Sequence, residues 1–456
     1  MDVVEPVDAG LSTPPLATVR VARRLAMSGG RMAPRCAVLL ILLSIAFGDV
    51  DAGAQTPAVA TSPAEPRKLA YVIPSLIEGM ILSLDPAFQP VIRQTINPDL
   101  ASVNSALAAQ LSNLPIPSPA SGYRYVLDPS LGVYVRTVQS LGPVLAERGE
   151  TLGRDRFFLA LTYQRYSFDR IDDLDLRGFT VAIPVELPVG PAGRLPAVVT
   201  AETLVHLTFS QITAHFTYGV TRNVDVSYAM PIVNSSIVVS TQPGLENRTD
   251  RQPLLILPRR WADGNATGLG DATARAKARV LRKNRLDLAV ATDVRLPTGD
   301  ELNYHGAGAY GVKPFVVAST TTPLFSAHLN AGYQWNGSSF LASPAADRKQ
   351  ELPSQLFYTA GFETGLTRRV TLAVDFMDQW IRNGQRSFLR AVQGPDGSTL
   401  QTLEFPYESR HEYNLSLGLK AAMPRDFILT WNVLVRLNQA GLRARVVPLL
   451  GVSVVF

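Results

Sequence analysis

The chain has 456 residues, of which 46% are apolar and 18% charged, with a formal net charge of +5. At about 100–200 residues per domain, that length holds two or three soluble domains or one large barrel with an extension. The apolar fraction excludes a disordered chain, and 33 Gly, 33 Pro and a single Cys exclude a collagen-like repeat and a disulfide scaffold; one Cys with five His leaves little for a zinc or redox site.

The first segment with a readable identity is N-terminal. Arg31 and Arg35 precede an apolar run from Cys36 to Phe47, broken only by Ser44, and Ala52-Gly53-Ala54 follows. A basic stretch, a short apolar core and an A-x-A end predict a secretory signal peptide over residues 1–54, cleaved after Ala54, with Met1, Met27 or Met32 as the start. The run falls short of the ~20 apolar residues of a helical span, and no later segment supplies them. A membrane protein with this sequence must therefore be a closed barrel.

Residues 55–150 read as an irregular extension rich in Pro, Ser and Ala, containing one helix. Asn97 is its N-cap, Pro98 suits its first position, and Leu100, Val103, Leu107 and Leu111 form one apolar face before Pro115. A helix docked on the main domain, a plug and a periplasmic segment are all compatible with that face.

From residue 151 to the end the period becomes 2. Leu286, Leu288, Val290, Val294 and Leu296 alternate with Asp287, Ala289, Asp293 and Arg295, and three further stretches repeat the pattern. Twelve strands are expected: Asp155 to Phe168, Ala201 to Val220, Asn223 to Ser240, Thr267 to Leu281, Arg285 to Pro297, Ala309 to Thr321, Leu324 to Asn336, Gln355 to Leu366, Arg369 to Ile381, Arg410 to Ala421, Asp426 to Leu437 and Leu442 to Phe456. Long and short connections alternate between them, as in a transmembrane barrel with short periplasmic turns. The expected fold is all-β, a 12-stranded antiparallel transmembrane β-barrel with an N-terminal, mostly irregular extension. Trp335, Trp380, Trp431, Tyr218 and Tyr333 fall on apolar faces where aromatic girdles would lie. A parity slip between Phe209 and Ile212 reads as a bulge.

The last strand sets Pro448, Leu450, Val452, Val454 and terminal Phe456 on one face, which resembles the C-terminal signal of outer-membrane proteins and implies the assembly machinery as a partner. Gly268-Leu269-Gly270-Asp271, then Arg275, Lys277 and Arg279, then Arg295-Leu296-Pro297-Thr298-Gly299-Asp300 and Gly306-Ala307-Gly308 are similar to the family of meta-pathway phenol-degradation proteins, over about residues 200–456. The resemblance implies an outer-membrane barrel that passes small hydrophobic or aromatic compounds, reached by Sec-type export in a Gram-negative-type bacterium, and it supplies no catalytic residues.

Motifs suggesting chemistry are weak. Gly306, Gly308 and Gly311 spell G-x-G-x-x-G, but a strand follows where a dinucleotide site needs a helix, so a loop rim is the better reading. His206, His215, His305, His328 and His411 show no metal spacing, and there is no G-x-S-x-G elbow. No cofactor is implied. A lumen-facing His206 or His328 beside a serine would favour a barrel enzyme acting on lipid, whereas a lumen filled by the extension would favour a non-conducting structural or adhesive barrel.

The most specific feature is charge on the inward face. Arg275, Lys277 and Arg279 share one side of a strand, and Arg295, Lys420, Arg436, Arg443 and Arg445 point the same way, against Asp287, Asp293 and Asp375. On the lipid face each Arg or Lys would cost about 2–4 kcal/mol at the midplane, so a lumen position is expected. Two readings stand: an ion-paired wall, with Arg279 opposite Asp287, or a basic constriction selecting anionic solutes. Cations buried in a barrel argue against nucleic acid as a partner. The function expected is a channel for small solutes, favouring hydrophobic or aromatic acids.

Overall fold

Backbone groups inside lipid must find partners within the protein, so an alternating sheet can cross only if its two edges meet. The computed structural model of this chain describes residues 68–93, 140–189, 193–248, 252–342, 348–393 and 399–456, and the backbones of 124–128 and 133–137. Its edges do meet. Twelve antiparallel strands form a closed barrel: β1 (Phe157–Ile171), β2 (Gly193–Gly219), β3 (Val224–Asn247), β4 (Ala272–Lys283), β5 (Leu286–Leu296), β6 (Gly311–Thr321), β7 (Phe325–Asn336), β8 (Gln355–Gly365), β9 (Val370–Gln385), β10 (Tyr407–Ala422), β11 (Phe427–Arg436) and β12 (Val446–Val455). Each pairs with the next, and β12 pairs with β1 from Leu449↔Gln164 to Val455↔Phe158. Phe157 and Phe456 finish the seam by exchanging backbone hydrogen bonds of 2.8 and 3.3 Å.

The turns 220–223, 284–285, 322–324, 366–369 and 423–426 gather at one end with Phe157 and Phe456; the long connections gather at the other. Short turns sorted to one side are the arrangement expected of a membrane barrel. The two faces are sorted as well. On β5, Asp287, Ala289, Ala291 and Asp293 are buried inward while Leu286 and Val290 are exposed. Val316, Leu329, Trp431 and Leu450 continue the exposed outer band, a contiguous apolar surface that water alone would penalise. Aromatic pairs edge that band, with Phe157 on Tyr218 at 4.7 Å by the short turns and Tyr333 on Trp335 at 4.7 Å by the long loops.

Several strands outrun the lengths expected from sequence. β2 and β3 continue past the barrel, where 193–203 pair with Phe179–Val189 and 232–241 with Arg260–Leu269. Helix α1 (Val72–Ile81) packs on this projecting sheet through Val72, Leu76 and Met80. Their spacing of four was legible, yet the sequence reading placed its helix at 97–111 instead, outside the described residues, as is the signal peptide over 1–54.

The expected bulge between Phe209 and Ile212 is absent, because β2 keeps continuous register with β1 from Phe157↔Tyr218 to Phe168↔Leu207. With parity unbroken, His215 faces the lumen, so His206, an odd number of residues away and expected to face the lumen, faces outward and is exposed. A register shift does occur in β4, between Arg279 and Leu281.

Because Phe456 completes the last pairing, its deletion exposes the Phe157 edge. We expect a markedly lower yield of heat-modifiable, protease-resistant barrel on refolding; a normal yield would contradict the importance of this seam.

Candidate functional site

The barrel interior has a polar half toward the short turns and an apolar half toward the long loops. The polar half is crossed by residues 140–152, a strap leading into β1. Gly142 at φ 88 and Gly153 at φ 96 give the strap its bends, conformations that side chains resist. Its backbone has no sheet neighbour, so lumen side chains accept its N–H groups: Leu141 donates to Thr371 Oγ1 at 3.0 Å, Leu145 to Asp375 Oδ2 at 2.8 Å, Glu147 to Asn330 Oδ1 at 2.7 Å, Gly149 to Ser319 Oγ at 2.8 Å and Leu152 to Asp225 Oδ2 at 2.8 Å. A buried, unmade backbone hydrogen bond costs about 1–3 kcal/mol, so this set of partners is what allows the strap to sit there. The wall also leaves it room. A Cβ on Gly361 would come within 2.7 Å of the Ala146 Cβ, and one on Gly418 within 2.7 Å of Val144 Cγ2.

The strap meets the basic strand at Glu147. Arg275 reaches Glu147 and Asp293 at 2.5 Å each, and Lys277 Nζ lies 2.8 Å from Glu147 and 3.9 Å from Asp225 while donating to the carbonyl of Glu150 at 2.8 Å. Lys420 donates to the carbonyl of Pro143. Arg279 bonds Asn223 at 2.7 Å and stands 3.9 Å from Asp287, the expected partner. The other cations lie apart from the strap: Arg295 bonds Asn336 at 2.9 Å, Arg436 is 3.2 Å from Asp169, and Arg443 donates to the carbonyl of Tyr413 at 2.6 Å. Arg445 is exposed in the connection before β12, so it is separated from the buried lumen set. Three cations thus converge on the strap, and Glu147 and Glu150 were missed by sequence reasoning because the strap has no periodicity to reveal its inward position.

One contact has the elements of a hydrolytic site. Ser319 Oγ lies 2.8 Å from His328 Nδ1, and His328 Nε2 lies 3.5 Å from Glu363. Its surroundings oppose that chemistry: Ser319 accepts the Gly149 N–H, and all three residues are buried beneath the strap, leaving no place for a substrate carbonyl beside the hydroxyl. Among the described residues no three His, Cys, Asp or Glu side chains gather as a metal site. The glycine motif forms a loop, with Gly308 at φ 68 and Asp271 accepting the N–H groups of Gly299 and Ala307 at 3.1 and 2.8 Å.

The apolar half is packed by Tyr166, Phe168, Phe209 and Tyr304, the last folded inward from the 297–310 loop. Between α1, the projecting sheet and the long-loop end of β1 lies a cavity of about 150 Å³. Leu76, Met80, Leu176, Leu207, Ile237 and Leu442 line it, and no charged side chain does. Its polar exceptions include Thr203 and Thr241, which satisfy each other at 3.0 Å. Such a cavity stays dry and suits a small neutral apolar molecule.

Substituting Glu147→Gln removes the anion that binds Arg275 and Lys277 to the strap while leaving Asp293 and Asp225 to hold the wall. We expect faster hydrogen exchange and protease cleavage within residues 140–152 than in wild type at equal barrel yield; unchanged protection would show that the clasp does not hold the strap.

A search of curated proteins finds no match. Among solved structures, the chain is similar to an outer membrane channel from Pseudomonas putida F1 at 13% identity and TM-score 0.37, covering 67% of this chain and 97% of that one. It is also similar to a BenF-like porin from Pseudomonas fluorescens Pf-5 at 7% identity and TM-score 0.27, covering 67% and 100%. A family model described as "Putative MetA-pathway of phenol degradation" matches residues 172–379. The match spans the Gly268–Asp271, Arg275–Arg279 and Arg295–Gly308 motifs and ends within β9.

Proposed function

We propose that this chain is an outer-membrane channel for small hydrophobic or aromatic solutes, held closed by the strap of residues 140–152. The observation that carries the reading is the apolar cavity of about 150 Å³ in the half of the barrel next to the long loops. A solute arriving from the outside meets this cavity first, and its uncharged lining favours neutral rings or alkyl groups. Passage beyond it requires the strap to move, and the strap is held by hydrogen bonds and ion pairs that water can replace one at a time. An apolar plug of the same length would have no such route.

The strap also changes what the basic strand does. With Glu147 in place, Arg275 and Lys277 share three carboxylates; with the strap withdrawn they lose Glu147 and face the lumen beside Asp293 and Asp225 alone, with Lys420 uncovered as well. In a narrow low-dielectric space their focused field raises the local concentration of anions. The open channel is therefore proposed to prefer anions and to accept aromatic carboxylates after neutral aromatics have filled the cavity. The eight inward cations of the sequence reading divide accordingly: Arg275, Lys277 and Lys420 hold the strap, and the first two select once it leaves. A non-conducting structural barrel is the second reading, favoured by the strap itself, and it requires that the strap never leave.

Two measurements test the proposal. Proteoliposomes should release an ionised aromatic carboxylate such as benzoate faster than liposomes carrying an inactive barrel, and Ile237→Trp, which fills the cavity, should remove the difference. Reversal potentials of the open channel should show anion preference that Arg275→Ala with Lys277→Ala weakens. Cation selectivity in the wild type would remove the anionic arm of the proposal, and flux unaffected by Ile237→Trp would remove the cavity from the path.

A further inference from the structure

The rim formed by the short turns carries a charge pattern that passage of a solute does not use. Arg222, Lys283, Arg285, Arg368, Arg369 and Arg425 are all exposed there. Among the described residues the exposed acid at this end is Asp155, which already pairs with Arg154 at 3.2 Å, and the half-buried Asp426 is the other. Like charges crowded on one edge repel, and nothing in the turns' own geometry needs them: the turn bonds are made by Thr221 and Thr367 hydroxyls, which accept the N–H groups of Asn223 and Arg369 at 3.1 Å each.

Large apolar side chains stand directly beside these cations. Leu324 is 80% exposed, Leu366 56%, and Met423, Val220, Leu281 and Leu286 are exposed as well. Apart from Leu324, which sits in the 322–324 turn, each lies within a few residues of a rim cation, with Val220 before Arg222, Leu366 before Arg368 and Arg369, Met423 before Arg425, and Leu281 and Leu286 on either side of Lys283 and Arg285. The stacked Phe157 and Tyr218 mark the aromatic belt at the same level. An apolar residue that water does not accept, next to a cation that hydrocarbon does not accept, defines one depth, that of lipid headgroups.

We infer that the short-turn rim of this barrel is a binding surface for the phosphate groups of anionic phospholipids, formed by exposed cations set immediately beyond exposed apolar turn residues. The inference rests on the reading of the barrel as membrane-spanning. Soluble polyanions fit the charge but not the apolar residues, which would then face water. Phospholipid supplies both, acyl chains against Leu324, Leu366 and Met423 and phosphate against the guanidinium groups, whose forked N–H donors match phosphate oxygens. The effect on the protein is to fix its depth and to enrich anionic lipid around one end only.

The test uses two single-tryptophan variants of the full chain, one keeping Trp431, in the strand that follows the 423–426 turn, and one keeping Trp335, near the long loops. Each is folded into phosphatidylcholine vesicles containing brominated phosphatidylglycerol or brominated phosphatidylcholine, and fluorescence quenching gives the relative affinity. We expect phosphatidylglycerol to be favoured about fivefold at Trp431 and about equally with phosphatidylcholine at Trp335. Changing the six rim cations to Gln should bring the Trp431 preference to about one, and about 1 M salt should do the same in the unsubstituted rim, which keeps the test decisive if the sixfold variant does not assemble. Equal affinity of the two lipids at Trp431, or a preference that survives both treatments, overturns the inference. Absence of quenching at both tryptophans by either lipid would instead overturn the membrane-spanning reading.

Discussion

The meeting of β12 with β1 is the constraint on which the rest depends. Hydrocarbon offers no partner to a free N–H or C=O, so every strand edge must be paired, and the seam from Leu449↔Gln164 to the Phe157–Phe456 exchange removes the last open edge. Closure then decides the side chains. Alternate residues must face outward into an apolar medium and inward into an enclosed space, which is why Leu286 and Val290 lie on one side of β5 and Asp287 and Asp293 on the other.

An enclosed polar wall has its own demand, because charges removed from bulk water need compensation. Arg275 and Lys277 obtain part of it from Asp293 and Asp225, and the rest from Glu147 on the strap. Removing one partner of such a buried cluster costs about 3–5 kcal/mol when the other charge is stranded, so the same residues that make the lumen basic make it favourable for the strap to remain. The strap's backbone has the complementary need, and Thr371, Asp375, Asn330, Ser319 and Asp225 meet it. Wall and strap are each incomplete alone.

How far the sequence could be read follows from what each element needed. The barrel strands were legible because a half-buried strand writes its two faces into alternate positions, and the turns because Thr221-Arg222 or Pro424-Arg425 interrupts that alternation. The inward positions of Asp287, Asp375 and Lys420 followed directly. The extensions of β2 and β3 were not legible, since 193–200 carry the consecutive apolar residues Ala197, Val198 and Val199 and 241–247 carry Pro243 and Gly244, so neither stretch alternates. His206 was placed on the wrong side through one inferred bulge, which shows how a single register decision reverses every residue before it. The strap was out of reach for a different reason: an extended segment whose hydrogen bonds go to distant side chains carries no period at all. Gly361 and Gly418, small residues inside strands, were its only trace in the wall.

On the proposed function, the strap of residues 140–152 closes the lumen and must move for solute to pass. The most direct measurement is conductance of the double variant Ala146→Cys with Gly361→Cys, where the Cβ positions are 2.7 Å apart and need separate by only about 1 Å to accept a disulfide. Oxidised, the strap is tied to β8 and the channel should be silent; reduced, the same protein should conduct, at least as readily as wild type because the added side chain crowds the strap. Equal conductance in the oxidised and reduced forms would contradict it.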